Sequence, residues 1–519
     1  MDWTRRGLSL FSLFICSSML AVAITPQHAD ASSESAKLSN IKEVIASAGF
    51  WGGSSFALGK EGSVWAWGSN YSGQFANGTA GPEGWTITPH RLTALEHTKQ
   101  IVIGYGYNMA LKEDGTVTVW GGFKKETTEE PGTQNKVLLP QSIGGLTEVV
   151  QITAGVSGSL ALKKDGSLMQ WEMPETSSVG YPTLPSAFKV NGITDVQRIE
   201  SGMFNAALKE NGTLWIWNGN SNSTPIPVPN LYHVKTMDVE GDSLIALTDS
   251  GSVWATVGDW STPSGISIRK MTGLTGIVSI QTGNGLNLVQ NRKGEYWIWK
   301  SGTPLQGLQK ITALRGLSKL TLDLNGLVGI KKDGTVWSWR QNYTTEKLTF
   351  IVPKQIKGLQ SPLSFATGED SKYAVLKNGT VAAWGTNMFG QLGISALDSR
   401  PFTPSPVLKP VDLLVNGKSI DSVQPPIFKD GYVLVPIRPV AEELGYSVIW
   451  DGSTKLIKDG KSSILIKNDQ ISIEGGPSYV LKQPSLEVSY TLLVPINALS
   501  KVMGISAKWD SDRYQLTLE

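Results

Sequence analysis

Histidine and cysteine, the side chains that most often hold transition metals, are scarce and widely spaced in this chain. The four histidines are His28, His90, His97 and His233, and the single cysteine is Cys16. Zinc and copper sites need several imidazole, thiolate or carboxylate ligands at one point. We therefore expect no metal site and no cofactor, and we interpret the histidines after His28 as exposed polar residues.

Catalytic nucleophiles and acids have no clear signature either. The sequence contains no G-x-S-x-G elbow of a serine hydrolase. Paired carboxylates could cleave a glycoside, but the most regularly placed acids lie in short glycine-containing turns: Asp114, Asp165, Asp249 and Asp333. We interpret these four as turn residues and assign no catalytic residue, so the chain is predicted not to be an enzyme.

The N-terminal segment reads as a targeting signal. Arg5 and Arg6 precede an apolar run over residues 8–24, and Ala29-Asp30-Ala31 fits a small-residue cleavage site. We predict a signal peptide over residues 1–31, with an uncleaved anchor as the alternative. No other apolar stretch is long enough to span a bilayer, so we expect a secreted chain, possibly associated with a bacterial cell wall, with no membrane span after cleavage.

A repeated phrase organises most of the remaining chain. A short apolar strand leads into a turn that ends in glycine, and an alternating strand with tryptophan follows, as in FALGKEGSVWAWG over residues 56–68. Eight copies have their turn glycines at Gly62, Gly115, Gly166, Gly212, Gly251, Gly294, Gly334 and Gly379. Asp-Gly and Asn-Gly turns supply the positive φ of a tight hairpin.

Tryptophans recur three and five positions after these glycines, which places both on one face of a strand. Four short strands for each unit of this length are typical of a propeller blade. We therefore predict an all-β propeller over residues 40–408 with seven or eight four-stranded blades. The tryptophans are expected to fill the space between blades.

The repeat resembles that of the RCC1 family. The resemblance rests on the phrase A-L-x-x-D-G-x-V-W-x-W-G and on its continuation N-x-x-G-Q-L-G, which is best kept at residues 70–75 and 387–393. The family implies a propeller that usually has seven blades. It also implies nucleotide exchange on a nuclear GTPase and chromatin binding, activities that an exported chain would have no partner for.

A second, different repeat follows. Residues 434–438 (LVPIR) and 493–497 (LVPIN) each lead a short helical pattern, a glycine and a Trp-Asp pair, at a constant offset of 59 residues. We interpret each half as a strand, a helix that begins at proline and ends at glycine, and a second strand. Residues 411–519 are thus predicted to form a small α+β domain, and they are similar to the copper amine oxidase N-terminal-like domain. No histidine follows His233, so copper chemistry is not expected.

The expected function is that of a binding scaffold. Rigid scaffolds carry their binding residues on loops, and one loop set holds aromatic and apolar side chains that we predict to be an exposed contact face: Phe50, Trp51, Tyr105, Tyr107, Met203 and Phe204. Trp85 and Trp260 are weaker candidates. The predicted partner of this monomeric scaffold is a protein or a cell-wall glycan.

Nucleic-acid binding is not expected, and two alternatives to a binding scaffold remain open. The net charge of +2 without a basic stripe argues against nucleic-acid binding. A carbohydrate-active enzyme with carboxylates in the central channel is one alternative. An RCC1-type exchange or regulatory role is the other.

Overall fold

The structure is a computed structural model, and β-strands dominate it. It describes residues 36–47, 53–81, 84–104, 107–121, 139–156, 158–171, 186–219, 223–257, 267–302, 307–311, 316–323, 326–342, 348–350, 352–368, 371–396, 401, 403–450, 454–458, 462–467 and 469–519. Within this part of the chain the two α-helices are α1 (Ile437–Glu443) and α2 (Ile496–Met503). Neither is long and apolar enough to cross a membrane.

Eight antiparallel sheets follow one another over residues 41–406, and within each sheet the first four strands are adjacent in sequence order. We number these sheets blades 1 to 8. Blades 1 to 4 contain β1 (Ile41–Ala46), β2 (Ser54–Gly59), β3 (Val64–Gly68), β4 (Thr86–Arg91), β5 (Thr98–Ile103), β6 (Asn108–Lys112), β7 (Val117–Trp120), β8 (Gln141–Ser142), β9 (Val149–Gly155), β10 (Gly158–Lys163), β11 (Leu168–Trp171), β12 (Phe188–Lys189), β13 (Val196–Ser201), β14 (Asn205–Lys209), β15 (Leu214–Trp217) and β16 (Ile226–Pro227).

Blade 7 differs from the others by a fifth strand, β29, which pairs with β27 beside β28. Blades 5 to 8 contain β17 (Val234–Glu240), β18 (Ser243–Thr248), β19 (Val253–Val257), β20 (Ser267–Lys270), β21 (Ile277–Gly283), β22 (Leu286–Asn291), β23 (Tyr296–Lys300), β24 (Gln309–Ile311), β25 (Leu317–Asp323), β26 (Gly326–Lys331), β27 (Thr335–Asn342), β28 (Thr349–Phe350), β29 (Lys354–Gln360), β30 (Ser364–Thr367), β31 (Ser371–Val375), β32 (Val381–Gly385) and β33 (Ser405–Pro406).

The turn between the second and third strands also joins neighbouring blades. In blade 2, Asp114 accepts hydrogen bonds from the backbone N–H and the hydroxyl of Thr116 at 2.9 and 2.7 Å, as predicted for a turn residue. Gly115 has a φ of +81°, and a Cβ there would lie 3.1 Å from Cα of Glu148. Its carbonyl accepts the N–H of Val149, the first residue of the next blade, at 3.0 Å. The turn therefore needs glycine for its φ and for the close approach of blade 3.

The ring closes between blades 8 and 1. Apolar side chains fill this interface, among them Trp67 and Tyr373, whose rings meet edge to face at 6.0 Å. The Tyr373 hydroxyl also accepts a hydrogen bond from Ser55 Oγ at 2.7 Å. Leu38, just before β1, donates its N–H to the carbonyl of Val407, just after β33, at 2.9 Å. Comparable clusters fill the other seven interfaces, so the strands that the structure describes over residues 41–406 close into a ring of eight blades.

The N-x-x-G-Q loops fasten consecutive blades. The Asn387 side chain holds its loop by accepting a backbone N–H at 3.0 Å. The carbonyl of Gln391 in blade 8 accepts Trp67 Nε1 of blade 1 at 2.6 Å. In the same way the carbonyl of Gln74 in blade 1 accepts Trp120 Nε1 of blade 2 at 2.9 Å. The loops thus satisfy indole N–H groups that would otherwise be buried without a partner.

The two tryptophan rows have different environments. The row five positions after the turn glycine is buried, as predicted: Trp67, Trp120, Trp171, Trp217, Trp299, Trp339 and Trp384. The row at three positions is only half-buried, which corrects the expectation that it is core: Trp65, Trp215, Trp254, Trp297 and Trp337. A cation covers several of these rings, most closely Lys331 Nζ, which lies 3.8 Å from the centre of the Trp337 ring.

Residues 411–519 form the predicted α+β module, whose two halves are related by the repeat. Its strands are β34 (Asp412–Val415), β35 (Lys418–Ser419), β36 (Ile427–Lys429), β37 (Tyr432–Pro436), β38 (Ser447–Trp450), β39 (Thr454–Lys458), β40 (Ser462–Lys467), β41 (Gln470–Ile473), β42 (Ser478–Val480), β43 (Leu486–Val488), β44 (Thr491–Pro495), β45 (Ala507–Asp510) and β46 (Gln515–Leu518). The equivalent strands β37 and β44 pair at the centre of one sheet, and α1 and α2 follow them directly, with Pro436 and Pro495 as N-caps.

The module packs on blade 1. Ile87 of β4 is buried against a sheet of the module that includes Leu434 and Leu493, the same position in the two halves. Gln424 Oε1 accepts the backbone N–H of Ile87 at 3.1 Å, and Ser489 Oγ accepts that of Trp85 at 3.2 Å. Trp85 is therefore a half-buried contact between propeller and module.

Candidate functional site

The two faces of the propeller differ in their connections. We call the upper face the side that holds the connections between first and second strands and between third and fourth strands. The lower face holds the glycine turns and the connections between blades. The first five connections between blades are each six residues long: 92–97, 143–148, 190–195, 228–233 and 271–276. The connections from third to fourth strands range from residues 343–348 to residues 121–140. The connections between blades 6 and 7 (312–316) and between blades 7 and 8 (361–363) are shorter, so length varies on both faces but much more on the upper face.

The predicted contact residues have three different outcomes. Met203 lies in the upper connection of blade 4 and is 53% exposed. Tyr107 and Phe204 are buried, so the prediction that they are exposed is wrong. Tyr107 instead reaches across the interface between blades 2 and 3, where its hydroxyl hydrogen-bonds Ser159 Oγ. The reason is that both residues directly precede a second strand, β6 or β14, whose alternate side chains pack between blades.

The other predicted contact residues cannot be placed. Phe50, Trp51 and Tyr105 lie outside the described residues, as do Trp260 and the predicted signal segment 1–31. Among the residues that are described, the upper face also exposes Val156, Met388 and Phe389. Exposed apolar side chains around one face are a feature of partner-binding surfaces.

A cavity of about 320 Å³ lies at the upper end of the central channel. Its walls come from the first strands of blades 1 and 5 to 8 and from the hairpin after β21, with lining residues Ala46, Glu240, Gln281, Thr282, Gly283, Asn284, Thr321, Leu322, Phe365 and Thr367. The lining is mostly uncharged and polar, and Glu240 is its charged member. Since most of the lining residues belong to first strands, the first strand of each of these blades borders the channel.

Hydrogen bonds from side chains fasten the first strands to one another around the channel. Gln281 Oε1 accepts the backbone N–H of Leu322 in the next blade at 3.2 Å, and its Nε2 donates to Thr321 Oγ1 at 2.9 Å. Gln100 and Gln151 make equivalent bonds to the backbone of blades 3 and 4. Glutamine side chains therefore link the first strands of neighbouring blades at three interfaces.

Carboxylates gather on the channel strands of blades 4 and 5. Glu200 forms an ion pair with Arg198 at 2.8 Å. Asp238 Oδ2 accepts the backbone N–H of Thr282 at 2.8 Å, and Glu240 Oε1 accepts that of Asn284 at 3.1 Å. Burial raises the pKa of all three carboxyl groups, and the charge of Asp238 raises the pKa of Glu200 and Glu240 further.

This arrangement bears on the carbohydrate-active alternative. That reaction needs two carboxyl groups that face each other and are free to serve as acid and base or nucleophile. Each of the three channel carboxylates already accepts a hydrogen bond or forms an ion pair.

A further ion pair lies buried between blades 7 and 8. Asp323 ends β25, and Lys372 lies in β31, with side chains 4% and 18% exposed. Burial lowers the pKa of Lys372 to about 8. Asp323 Oδ1 has no hydrogen-bond partner among the described residues. The pair explains why a lysine occupies a position where blades 1 to 4 have serine or asparagine.

The channel carboxylates and the Asp323–Lys372 pair were not predicted from the sequence. The signal was present, because these residues sit at repeated positions of the first and second strands. Recognising this signal requires knowing which residues pair between strands and which side chains point into the channel. A shift of one residue in the register moves every side chain to the opposite face of the strand.

Within the part of the chain that the structure describes, no group of three His, Cys, Asp or Glu side chains that could hold a metal ion occurs. His90 is not exposed, however, which corrects the prediction. It lies 3.7 Å from Asp421 of the module, and burial lowers its pKa while Asp421 raises it.

Comparison with known protein families agrees with both resemblances. Residues 61–111 match the model of the regulator of chromosome condensation (RCC1) repeat, and residues 414–518 match that of the copper amine oxidase N-terminal domain. The first match covers the glycine turn of blade 1 through β6.

Similar curated proteins share only part of their length with this chain. Protein pim1 of Schizosaccharomyces pombe is 34% identical over 143 residues, which is 24% of this chain and 26% of pim1. The mitochondrial RCC1 domain-containing protein RUG3 of Arabidopsis thaliana is 30% identical over 159 residues, which is 29% of this chain and 35% of RUG3. The chain thus spans about a quarter to a third of the length of these relatives.

Solved structures similar to this chain include Prp20p of Saccharomyces cerevisiae, with 16% identity, a TM-score of 0.44 and coverage of 67% of this chain and 87% of Prp20p. Human WBSCR16 has 15% identity, a TM-score of 0.42 and coverage of 61% of this chain and all of its own. The family matches carry the assignment: this chain combines RCC1-type repeat sequence with a copper amine oxidase N-terminal domain.

Proposed function

We propose that this chain is an exported binding scaffold whose upper face engages a protein or a cell-wall glycan. The observation that carries the proposal is the asymmetry of the connections. Those between third and fourth strands on the upper face vary far more in length than those between blades on the lower face. Variable loops on a rigid scaffold are the usual place for recognition.

The proposal includes no catalytic step. A closed ring fastened at each blade interface offers a preorganised surface, which reduces the entropy that a partner must lose on binding. The RCC1 repeat and the relatives that carry it support a binding or regulatory scaffold. The module packs against blade 1, so it adds a second surface beside the rim of the propeller.

Retention of material from the cell envelope tests this function. The immobilised chain is incubated separately with purified cell-wall sacculi and with solubilised envelope proteins. A Met203→Ser/Met388→Ser variant changes the upper face, and a Tyr232→Ser/Val278→Ser variant makes a matched change at exposed side chains of the lower face. We expect the first variant to lose the bound species and the second to keep it. Equal retention by both variants would refute the role of the upper face.

A regulatory role of the RCC1 type is the second candidate, and the similarity to protein pim1 favours it. The two candidates differ in compartment. N-terminal sequencing of the chain recovered from culture fluid should find Ser32 as the first residue if the chain is exported. A full-length chain confined to the cytosol would favour the regulator. Light scattering after size-exclusion chromatography would test the expected monomer.

A further inference from the structure

The two halves of the module are related by a two-fold axis through its central strand pair. Val435 of β37 pairs with Val494 of β44, its equivalent in the other half, and the pairs on either side of this one are exchanged with each other. Two equivalent antiparallel strands in this register are related by a rotation about their central pair. Each side chain can therefore be compared with its counterpart in the other half.

The tryptophan of each half lies on the core side of its sheet. Trp509 of β45 is opposite Leu516 of β46, which is buried in the core of the module. Trp450 of β38 is opposite Thr454 of β39, and Thr454 is opposite the buried core residue Ile466 of β40. Because directly opposed residues point to the same face of a sheet, both indoles face the core side.

The two indoles differ in what covers them. Phe428 of β36 stacks on Trp509 with 6.1 Å between the ring centres, and Tyr514 meets the same indole edge to face at 5.3 Å. Trp450 faces the same side of its sheet but is 61% exposed. The position that a ring of this chain fills in one half is therefore open in the other.

Polar groups replace apolar ones around the open indole. Phe428 and Glu487 are counterparts, since each is the middle residue of a three-residue strand, β36 or β43, and Glu487 is exposed. The residue opposite Trp450 is Thr454, where the other half has a leucine. The open site thus combines an aromatic floor with a carboxylate at its rim.

A hydrogen bond independently places the start of β43 beside this sheet. Ser485 Oγ, one residue before β43, donates to the carbonyl oxygen of Lys467 at 3.3 Å. Lys467 directly follows Ile466, which belongs to the same row of opposed residues as Trp450. The two-fold axis and this bond therefore agree in bringing Glu487 to the row that ends in Trp450.

A sugar ring matches an aromatic floor with a polar rim. The C–H groups on one face of a pyranose pack on the electron-rich face of an indole, and its hydroxyl groups can donate hydrogen bonds to the Glu487 carboxylate. An aromatic side chain of a partner would cover that carboxylate without offering a donor, which is costly. An arginine would gain little from an ion pair with so exposed an acid. The polar replacements therefore favour a saccharide.

We propose that Trp450 is the stacking platform of a saccharide site on the module, with Glu487 as an acceptor for the hydroxyl groups of the sugar. The site belongs to the module and not to the upper face of the propeller. It thus goes beyond the proposed function and can fail independently of it.

Calorimetric titration of the whole chain with soluble probes tests the site. The saccharide probes are N-acetylchitotriose and cellotriose, and the aromatic and cationic alternatives are N-acetyl-phenylalaninamide and N-acetyl-argininamide. We expect at least one saccharide to bind, and to bind more tightly than either amide, because only the sugars combine an apolar ring face with several hydroxyl donors.

Three variants link this binding to the indole. Trp450→Ala removes the platform and should weaken saccharide binding at least about tenfold, whereas Trp450→Tyr keeps a ring and should retain most of the affinity. Glu487→Phe recreates the cover that Phe428 gives to Trp509 and should also weaken binding at least about tenfold. Because Trp450 and Glu487 are exposed, melting temperatures should stay near that of the wild type.

Tyr479→Ala is the matched control, because it removes an exposed aromatic ring from β42, at the opposite edge of the same sheet. It should bind saccharides normally. No binding of either saccharide, or tighter binding of an amide than of both saccharides, would overturn the inference. So would unchanged saccharide affinity in Trp450→Ala, or equal losses in Trp450→Ala and Tyr479→Ala.

The site and the proposed function are distinguishable in their failure. If Met203→Ser/Met388→Ser loses the envelope species while no saccharide binds, the proposed function stands and the module site fails. If saccharides bind through Trp450 while Met203→Ser/Met388→Ser keeps every envelope species, the module site stands and the role of the upper face fails.

Discussion

The ion pair between Asp323 and Lys372 gives the sharpest test of how the blades hold together. It joins the end of a channel strand in blade 7 to the second strand of blade 8. With side chains only 4% and 18% exposed, water can solvate neither charge well. Asp323→Asn would leave the ammonium group of Lys372 buried without its counter-charge.

The expected cost follows from the burial. Removing one partner of a buried pair costs about 3–5 kcal/mol. Lys372 can limit this cost by releasing its proton, because burial already lowers its pKa to about 8. We therefore expect Asp323→Asn to lower the free energy of unfolding by about 3 kcal/mol at pH 7. The loss should shrink at pH 9, where Lys372 of the folded state is mostly neutral.

The wild type should also respond to pH through this lysine. Its pKa in the folded state, about 8, is below the ordinary value of 10.5. Between these values the unfolded chain binds more protons than the folded chain, so the free energy of unfolding should rise with pH in this range. Lys372→Met should remove this rise.

Urea unfolding followed by tryptophan fluorescence at pH 7 and pH 9 measures these effects. Glu295→Gln is the matched control, because it breaks a pair with Lys310 at an N–O distance of 2.6 Å whose side chains are 35% and 47% exposed. A surface pair contributes little, so stability should hardly change. The double variant Asp323→Leu/Lys372→Met should have a free energy of unfolding within about 1 kcal/mol of that of the wild type. If Asp323→Asn were no more destabilising than Glu295→Gln, the argument from burial would be wrong.

Three other predictions concern the blade and module interfaces. Burial lowers the pKa of His90 below its ordinary 6.5, so the unfolded chain binds more protons than the folded chain as the pH falls through 6.5, and stability should drop there. His90→Gln should flatten the drop in melting temperature between pH 7.5 and 5, and identical slopes for the two proteins would contradict an origin in the buried His90. Gly115→Ala should cost about 1–3 kcal/mol in urea unfolding, since its φ is +81°, and a fully stable variant would disprove the need for glycine. Tyr107→Phe should lose about 1 kcal/mol with its bond to Ser159 and leave envelope retention unchanged, whereas lost retention would restore its predicted contact role.

The repeat could be predicted from the sequence because its signals are local. Glycine turns such as Gly115, alternating strands and tryptophans at fixed offsets recur within about a dozen residues, and each constrains its own hairpin. They predict the propeller and its buried tryptophan row. The module was readable for the same reason, because proline, helix and glycine recur at a constant offset in both halves.

The number of blades, and which of the proposed contact residues are buried, could not be predicted from the sequence. The choice of eight blades depends on closure between Trp67 and Tyr373, more than 300 positions apart in sequence. Tyr107 and Phe204 are residue types typical of a contact surface, but they directly precede strands whose side chains face the neighbouring blade. Burial is a property of the assembled ring, and a single unit does not specify it.

Local sequence patterns are sufficient to specify the repeating unit: hairpin turns, strand alternation and the order of the two domains. Tertiary structure decided which side chains point inward, which carboxylates meet at the channel and where the module lies on blade 1. The physical reason is that turn and strand preferences act between near neighbours, whereas burial and charge interactions depend on distances that only the closed ring sets.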